Sequence, residues 1–252
     1  MTRLILSGCN GKMGCVLTRC IAEKDGMETV AGLDLADNFG GAYPVYADPT
    51  AIKETADVII DFSNPAALSK TIALAKAQNI PAVIATTGLS DEQMAQVEAL
   101  AKDVPVFFSG NMSVGIALLI ELAKNAAAAF PEANIEIVEK HHRMKVDSPS
   151  GTALMLYEAA KNEKGPETEP VFGRYGRAEK RTNGEIGIHA VRGGTVTGEH
   201  EVGFYGSGEE IILTHRAENR ALFAQGALKA AAFLKDKPAG LYSMRDVVRE
   251  ML

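Results

Sequence analysis

The chain has 252 residues, with 26 Lys and Arg against 32 Asp and Glu, a formal charge of −6, and 46% hydrophobic residues. These globular proportions exclude wholesale disorder and leave room for one large or two modest domains. The acidic balance offers no cationic footprint for sequence-independent nucleic-acid binding, and no apolar run nears the roughly 18 residues of a membrane span, so neither kind of partner is expected.

The first apolar run, Leu4-Ile5-Leu6, is too short for a signal-peptide core and enters a glycine-rich loop, so the expected location is cytoplasmic. Three cysteines, Cys9, Cys15 and Cys20, are too few and too clustered for a disulfide framework and match no zinc spacing. From there, short β-branched runs alternate with longer Ala-rich segments, the pattern of a parallel βαβ sheet. Strands are expected at residues 3–7, 29–33, 58–61, 82–84 and 106–108, and helices at 12–23, 65–78 and 91–102. Pro65 suits a first helical turn, and Ser90 with Gln93 forms a capping-box start.

After Phe108 the rhythm changes. A buried helix is expected at 114–130, a strand at 135–139 and a helix at 152–162, followed by an irregular loop over 164–183. Three strand candidates at 186–192, 195–205 and 210–216 are consecutive, with glycine-containing turns, and read as antiparallel neighbours. Helices at 221–234 and 243–251 close the chain.

Two segments carry chemistry. Gly8-Cys9-Asn10-Gly11-Lys12-Met13-Gly14 follows the first strand and opens the first helix, where backbone N–H groups hold a pyrophosphate. Asp34 stands at the end of the second strand, 20 residues past Gly14, where a ribose-binding carboxylate is expected. Ala85-Thr86-Thr87-Gly88 and Ser109-Gly110-Asn111-Met112 also follow strand ends, where open α/β sheets bind ligands. The second segment runs from Glu139 to Ala153 and holds two His, three other cations and a Ser-Gly-Thr helix start. In an acidic protein this is an anion site with transferable protons. A metal is not expected, because adjacent His residues on an extended segment face opposite ways and no third ligand stands at a familiar spacing. His189, His200 and His215 fall within the later strands and read as sheet-facing or interface histidines.

The segment Glu139-x-His141-His142-x-x-Lys145-x-Asp147-x-Pro149-Ser150-Gly151-Thr152-Ala153 resembles the signature of the dihydrodipicolinate (4-hydroxy-tetrahydrodipicolinate) reductase family. The glycine loop, Thr86-Thr87-Gly88, Asn111-x-Ser113-x-Gly115, Gly198-Glu199-His200 and Thr214-His215-Arg216-Ala217 match in the same order. The resemblance implies reduction of a cyclic imine by a nicotinamide cofactor in the diaminopimelate branch of lysine biosynthesis. By that carry-over His141 is the general acid/base and Lys145 the proton donor acting with it, while His142, Gly151 and Thr152 hold the carboxylates of a small dicarboxylate substrate. Gly8, Cys9, Asn10, Gly11, Lys12, Met13, Asp34, Ala85, Thr86, Thr87, Ser109, Gly110, Asn111 and Met112 line the cofactor. A homotetramer is implied as well.

The expected fold class is α/β, with an N-terminal Rossmann-like doubly wound parallel sheet and a C-terminal α+β domain bearing an open mixed sheet. Residues 1–112 and 222–252 would form the dinucleotide-binding domain and 113–221 the substrate-binding and oligomerisation domain. NADH is the expected cofactor in preference to NADPH. Asp34 opposes a 2′-phosphate, Leu35, Ala36 and Asp37 supply no cation, and Lys12 is the one basic residue close in sequence. Two other readings keep the nucleotide domain: a related dehydrogenase of a small amino-acid-derived acid, and a non-catalytic NAD-sensing protein. Neither needs the His141-His142-x-x-Lys145 set.

Overall fold

The computed structural model describes residues 1–36, 42–177 and 180–252. The chain divides into two compact units, Met1–Val114 with Arg220–Leu252, and Gly115–Asn219. In the first, strands β1 (Thr2–Ser7), β2 (Met27–Leu33), β3 (Val45–Tyr46), β4 (Val58–Asp61), β5 (Ala82–Ile84) and β6 (Pro105–Phe108) lie in the order β6-β5-β4-β1-β2-β3. All their pairings are parallel. The chain starts mid-sheet and winds outward both ways, so its direction switches between β1 and β4, where such sheets open a crevice at the strand ends.

Helices α1 (Lys12–Ala22), α2 (Leu68–Gln78) and α3 (Asp91–Leu100) supply the crossovers. Ile5, Ile59, Ile84 and Val106 pack with Leu68, Leu74, Val97 and Leu100 on one face of the sheet. The boundaries follow local chemistry. The Ser90–Gln93 capping box starts α3, and Asn79, left-handed at φ 52°, ends α2. Pro65 begins a short 3₁₀ turn capped by Asn64 rather than the α-helix itself.

The second unit begins with α4 (Val114–Ala129), β7 (Asn134–His141) and α5 (Gly151–Lys164), followed by β8 (Glu169–Phe172), β9 (Glu185–Arg192), β10 (Gly198–Tyr205) and β11 (Glu210–Ala217). Its five strands run in the order β11-β10-β7-β9-β8. Pairs β7–β10 and β10–β11 are antiparallel, whereas β7–β9 and β8–β9 are parallel, so the sheet is mixed. Ile135, Ile137, Ile186, Ile188, Val202 and Phe204 face α4 and α5 residues including Leu119, Leu156 and Ala160.

Two expectations fail here. β9 and β10 are not hairpin partners, because β7 lies between them. The Gly193-Gly194 connection passes over the end of β7 instead, bonded there by Gly193 N–H to the His141 carbonyl (2.9 Å) and Arg143 N–H to the Gly194 carbonyl (3.3 Å). Within the expected loop 164–183, residues Glu169–Phe172 form β8. Pro170 is tolerated because β8 is an edge strand, where one missing donor leaves no central ladder broken. Ala178 and Glu179, in the same segment, lie outside the described residues.

The chain then returns to the first sheet with α6 (Ala221–Leu234), β12 (Gly240–Tyr242) and α7 (Met244–Met251). β12 pairs parallel to β6 as a seventh strand. α6 packs on α1 and on β4, β5 and β6, with Phe233 edge-on to Phe107 at 6.3 Å between ring centroids. No helix among the described residues is long and apolar enough to cross a membrane.

Gly226 lets α6 press against the loop after β6. A Cβ at this position would lie 1.6 Å from the Met112 carbonyl oxygen. Helix propensity alone would favour Gly226→Ala by about 1 kcal/mol, whereas forcing a methyl onto backbone costs about 1–3 kcal/mol or more. Gly226→Ala is therefore expected to lower Tm in a thermal melt; a raised Tm would show that α6 does not sit against Met112.

Candidate functional site

In the first unit, the loop between β1 and α1 forms the floor of a crevice. Gly8 adopts φ +77°, and a Cβ there would strike the Ser63 backbone at 2.7 Å. Gly14 is equally constrained, with the Gly8 and Cys9 carbonyl oxygens 2.3 Å from its would-be Cβ. The loop thus lies flat against β4's end, and α1 follows Gly11 with no side-chain cap on its leading N–H groups among the described residues. A helix start left open in this way, at a sheet switch point, suits a pyrophosphate. Asp34 accepts from Asn10 N–H at 2.9 Å and Leu35 N–H at 2.7 Å, which fixes the carboxylate at the rim.

Two cavities follow this edge and share Phe62 and Ser63. One, of about 520 Å³, is lined by residues that include Gly8, Asn10, Gly11, Asp34, Leu35 and Lys70. The other, of about 360 Å³, includes Met13, Ala85, Thr86, Thr87, Gly110, Asn111 and Met112. The shape and donor set fit a dinucleotide. Most of the sequence-derived cofactor residues are therefore brought together, but Cys9, Lys12, Ser109 and Thr86 stand differently from the rest. Cys9 is fully buried, and a Cβ on Gly32 would lie 2.6 Å from its Sγ; burial, with Asp34 nearby, pushes the thiol up to about 12. Lys12 is exposed and borders neither cavity. Ser109 spends its hydroxyl on the turn, donating to the Asn111 carbonyl at 2.7 Å.

Thr86 also turns inward, its hydroxyl donated to Asp61 Oδ1 at 3.1 Å. Sequence reasoning missed Lys70, which donates to the Ala47 carbonyl at 2.9 Å and lines the same cavity as Asp34. It lies far along the chain from the glycine loop, so only α2's packing reveals it. Asp37 lies outside the described residues.

The second cluster is built at the C-terminal end of β7. Strand alternation, which points Ile135 and Ile137 into the core, also turns Glu139 and His141 inward. Glu139 has no exposed surface, and each of its oxygens is doubly occupied. Oε1 accepts from Ser150 N–H (2.9 Å) and Arg192 Nη2 (2.7 Å); Oε2 accepts from Arg192 Nη1 (2.7 Å) and lies 2.6 Å from His141 Nδ1. Burial favours the neutral acid, yet the Arg192, His141 and Ser150 donors outweigh it and hold Glu139 below the ordinary carboxylate range. Arg192 is raised in turn, chiefly by its bonds to Glu139. His141 is pulled below its usual value by burial, against the opposing pull of Glu139 and with Lys145 and Arg192 adding to the fall.

His200 on β10 completes the floor, its ring edge-on to His141 at 5.1 Å. Ser150 Oγ caps α5 by accepting from Ala153 N–H, and stands 3.0 Å from His200 Nε2. Burial, with His141 beside it, lowers His200 to about 4, so its ring is neutral near pH 7. His142 is half-buried, and Lys145 pairs with Asp147 at 2.8 Å. Gly151, exposed, and Thr152, half-buried, form the start of α5. The expected catalytic and anion-binding residues thus share one end of one sheet. Glu139, Ser150 and His200 were visible as letters in the motifs, but their partnership with Arg192 was not.

The dihydrodipicolinate reductase N-terminus model matches residues 2–112, and the C-terminus model of the same family matches residues 115–248. A 4-hydroxy-tetrahydrodipicolinate reductase from Caldanaerobacter subterraneus is 50% identical over 250 residues, covering 99% of both chains. One from Clostridium novyi is 46% identical with the same coverage. Among solved structures, a dipicolinate-bound dihydrodipicolinate reductase from a Paenisporosarcina species superposes with a TM-score of 0.80 at 28% identity, covering 96% of this chain and 97% of that one. With both units matched and relatives aligned end to end, the chain belongs to the dihydrodipicolinate reductase family.

Proposed function

We propose that the chain reduces 4-hydroxy-tetrahydrodipicolinate to tetrahydrodipicolinate with NADH or NADPH, in the diaminopimelate branch of lysine biosynthesis. The observation that carries this reading is the cluster of His141, Lys145 and the α5 start in a chain 50% identical, end to end, to a reductase of that name. Following oxidation of NADH and NADPH with enzymatically generated substrate tests it; no oxidation of either would overturn it.

The reaction adds a hydride and a proton to a conjugated imine that carries two carboxylates. NAD(P)H, when bound, supplies the hydride. Gly8, Asn10, Gly11 and Asp34 would hold its adenosine and pyrophosphate, and Met13, Ala85, Thr87, Gly110, Asn111 and Met112 the rest. The backbone of Cys9 and Thr86 belongs to the same loops, with Lys12 and Ser109 at their margins. His142, Gly151 and Thr152 bind the carboxylates, since a helix start beside cations is an anion site. His141 and Lys145 handle the proton. Loss of a general acid costs about 10²–10⁴-fold. His141→Gln and Lys145→Ala are each expected to lower kcat by that order while leaving NADH binding near the parent value. The double variant should be little worse than the weaker single. Steady-state kinetics and cofactor titration check this.

The cofactor preference rests on Asp34, whose carboxylate accepts ribose hydroxyls but repels a 2′-phosphate. Like charges about 4 Å apart repel by up to ~4 kcal/mol at an effective dielectric near 20, before solvent discounts it. NADH is expected to be preferred by roughly three- to thirtyfold in kcat/KM, and Leu35→Arg should move the ratio toward NADPH. Residual NADPH use depends on a cation, and Lys70 lines Asp34's cavity whereas Lys12 does not. Lys70→Ala should therefore impair NADPH use more than Lys12→Ala does; the reverse order would return that role to the glycine loop.

A homotetramer completes the reading. The face of the second sheet turned away from α4 and α5 exposes Val191 and Ile212, each nearly half accessible, between charged side chains. Copies of the chain covering that face would bury it. Sedimentation at micromolar concentration should give the tetramer mass, and a monomer would exclude it.

A further inference from the structure

We propose that Glu139, clamped by Arg192, is the positioning residue that holds the His141 ring with Nδ1 protonated and Nε2 as its exchangeable nitrogen. This rests on the reading of His141 as the proton-transfer residue. A carboxylate has about four acceptor sites, and on Glu139 three of them are taken by groups that only donate, the two Arg192 nitrogens and the Ser150 N–H. Such a carboxylate is ionised and accepts only, so the contact at 2.6 Å requires the hydrogen to sit on His141 Nδ1. The two bonds from the Arg192 guanidinium hold Glu139 as the anion, so its role is orientation and charge.

The opposite nitrogen is kept uncrowded. Nε2 lies beside Gly198 on β10, where a Cβ would approach it to 3.1 Å. His200 cannot compete for Glu139, because its Nε2 engages Ser150 and its Nδ1 has no partner among the described residues. The charged and titratable groups around His141 are Glu139 on its own strand, Arg192 on β9, His200 on β10 and Lys145 in the following loop. Only Glu139 among them stabilises the imidazolium, whereas Lys145 and Arg192 oppose it. Arg192 also donates to the Asp147 carbonyl at 2.7 Å, so the same clamp ties down the loop bearing Lys145.

The test begins with the parent enzyme. Labelled-histidine nitrogen NMR above the His141 transition should show the Nδ1–H tautomer, with a strongly hydrogen-bonded Nδ1 proton that disappears in His141→Gln. An Nε2–H tautomer overturns the proposal without any variant at Glu139. Glu139→Gln should lower kcat by about 10²-fold or more, with substrate KM and NADH affinity changed far less. The kinetic pKa that His141→Gln abolishes should move to lower pH, because the anion that favours imidazolium is gone. Glu139→Asp should recover part of kcat. A kcat for Glu139→Gln within threefold of the parent, or an unmoved pKa, overturns the proposal. If Glu139→Gln fails to bind NADH, its fold is impaired, and the tautomer measured on the parent decides alone. If His141→Gln turns over like the parent, the reading of His141 falls; if His141→Gln is impaired and Glu139→Gln is not, only the role of Glu139 falls.

Discussion

Burying a carboxylate is costly unless donors answer its charge, and at Glu139, which has no exposed surface, four groups do so. Its partners come from β9, from the start of α5 and from its own strand. Removing one partner from a buried pair typically costs about 3–5 kcal/mol, so the arrangement is close to all or none. The parallel pairing of β7 with β9 gives it its geometry, since that register sets Arg192 beside His141 at the strands' common end. Had β9 paired with β10 as a hairpin, Arg192 would have had no route to Glu139. The topology of the second sheet and the chemistry at its end are therefore one problem.

The nucleotide-binding unit answers a different constraint, close approach of backbone to ligand. Gly8 and Gly14 are glycines because neighbouring backbone already occupies the space of a Cβ. The parallel sheet places the loops after β1, β4, β5 and β6 along one edge, so residues as distant as Gly8 and Lys70 line one cavity. Asp61 sits beneath them with no exposed surface, bonded through Oδ1 to Ser63 N–H and Thr86 Oγ1, and joins two of those loops.

Much of this was legible in the letters. Val58–Asp61 and Ala82–Ile84 stand where their β-branched runs put them, and the Ser90–Gln93 box marks the start of α3. β3 and β12 were not legible, being two and three residues long and formed only because a neighbouring strand offers its edge. β8 was masked by Pro170, which argues against a strand unless that strand lies at an edge.

Sequence by itself determined the residue types of both clusters and the elements that carry them, because glycine spacing, cap residues and strand alternation act over a few neighbouring positions. It determined the family as well, since the segment from Glu139 to Ala153 is long and specific. Only the tertiary structure decided that Arg192 answers Glu139, that His200 lies under His141, that Cys9 faces inward and that Lys70 rather than Lys12 borders the cavity with Asp34. These are contacts between elements far apart in the chain. Their partners are chosen by strand order and helix packing, which the collective burial of both cores sets and no local pattern encodes.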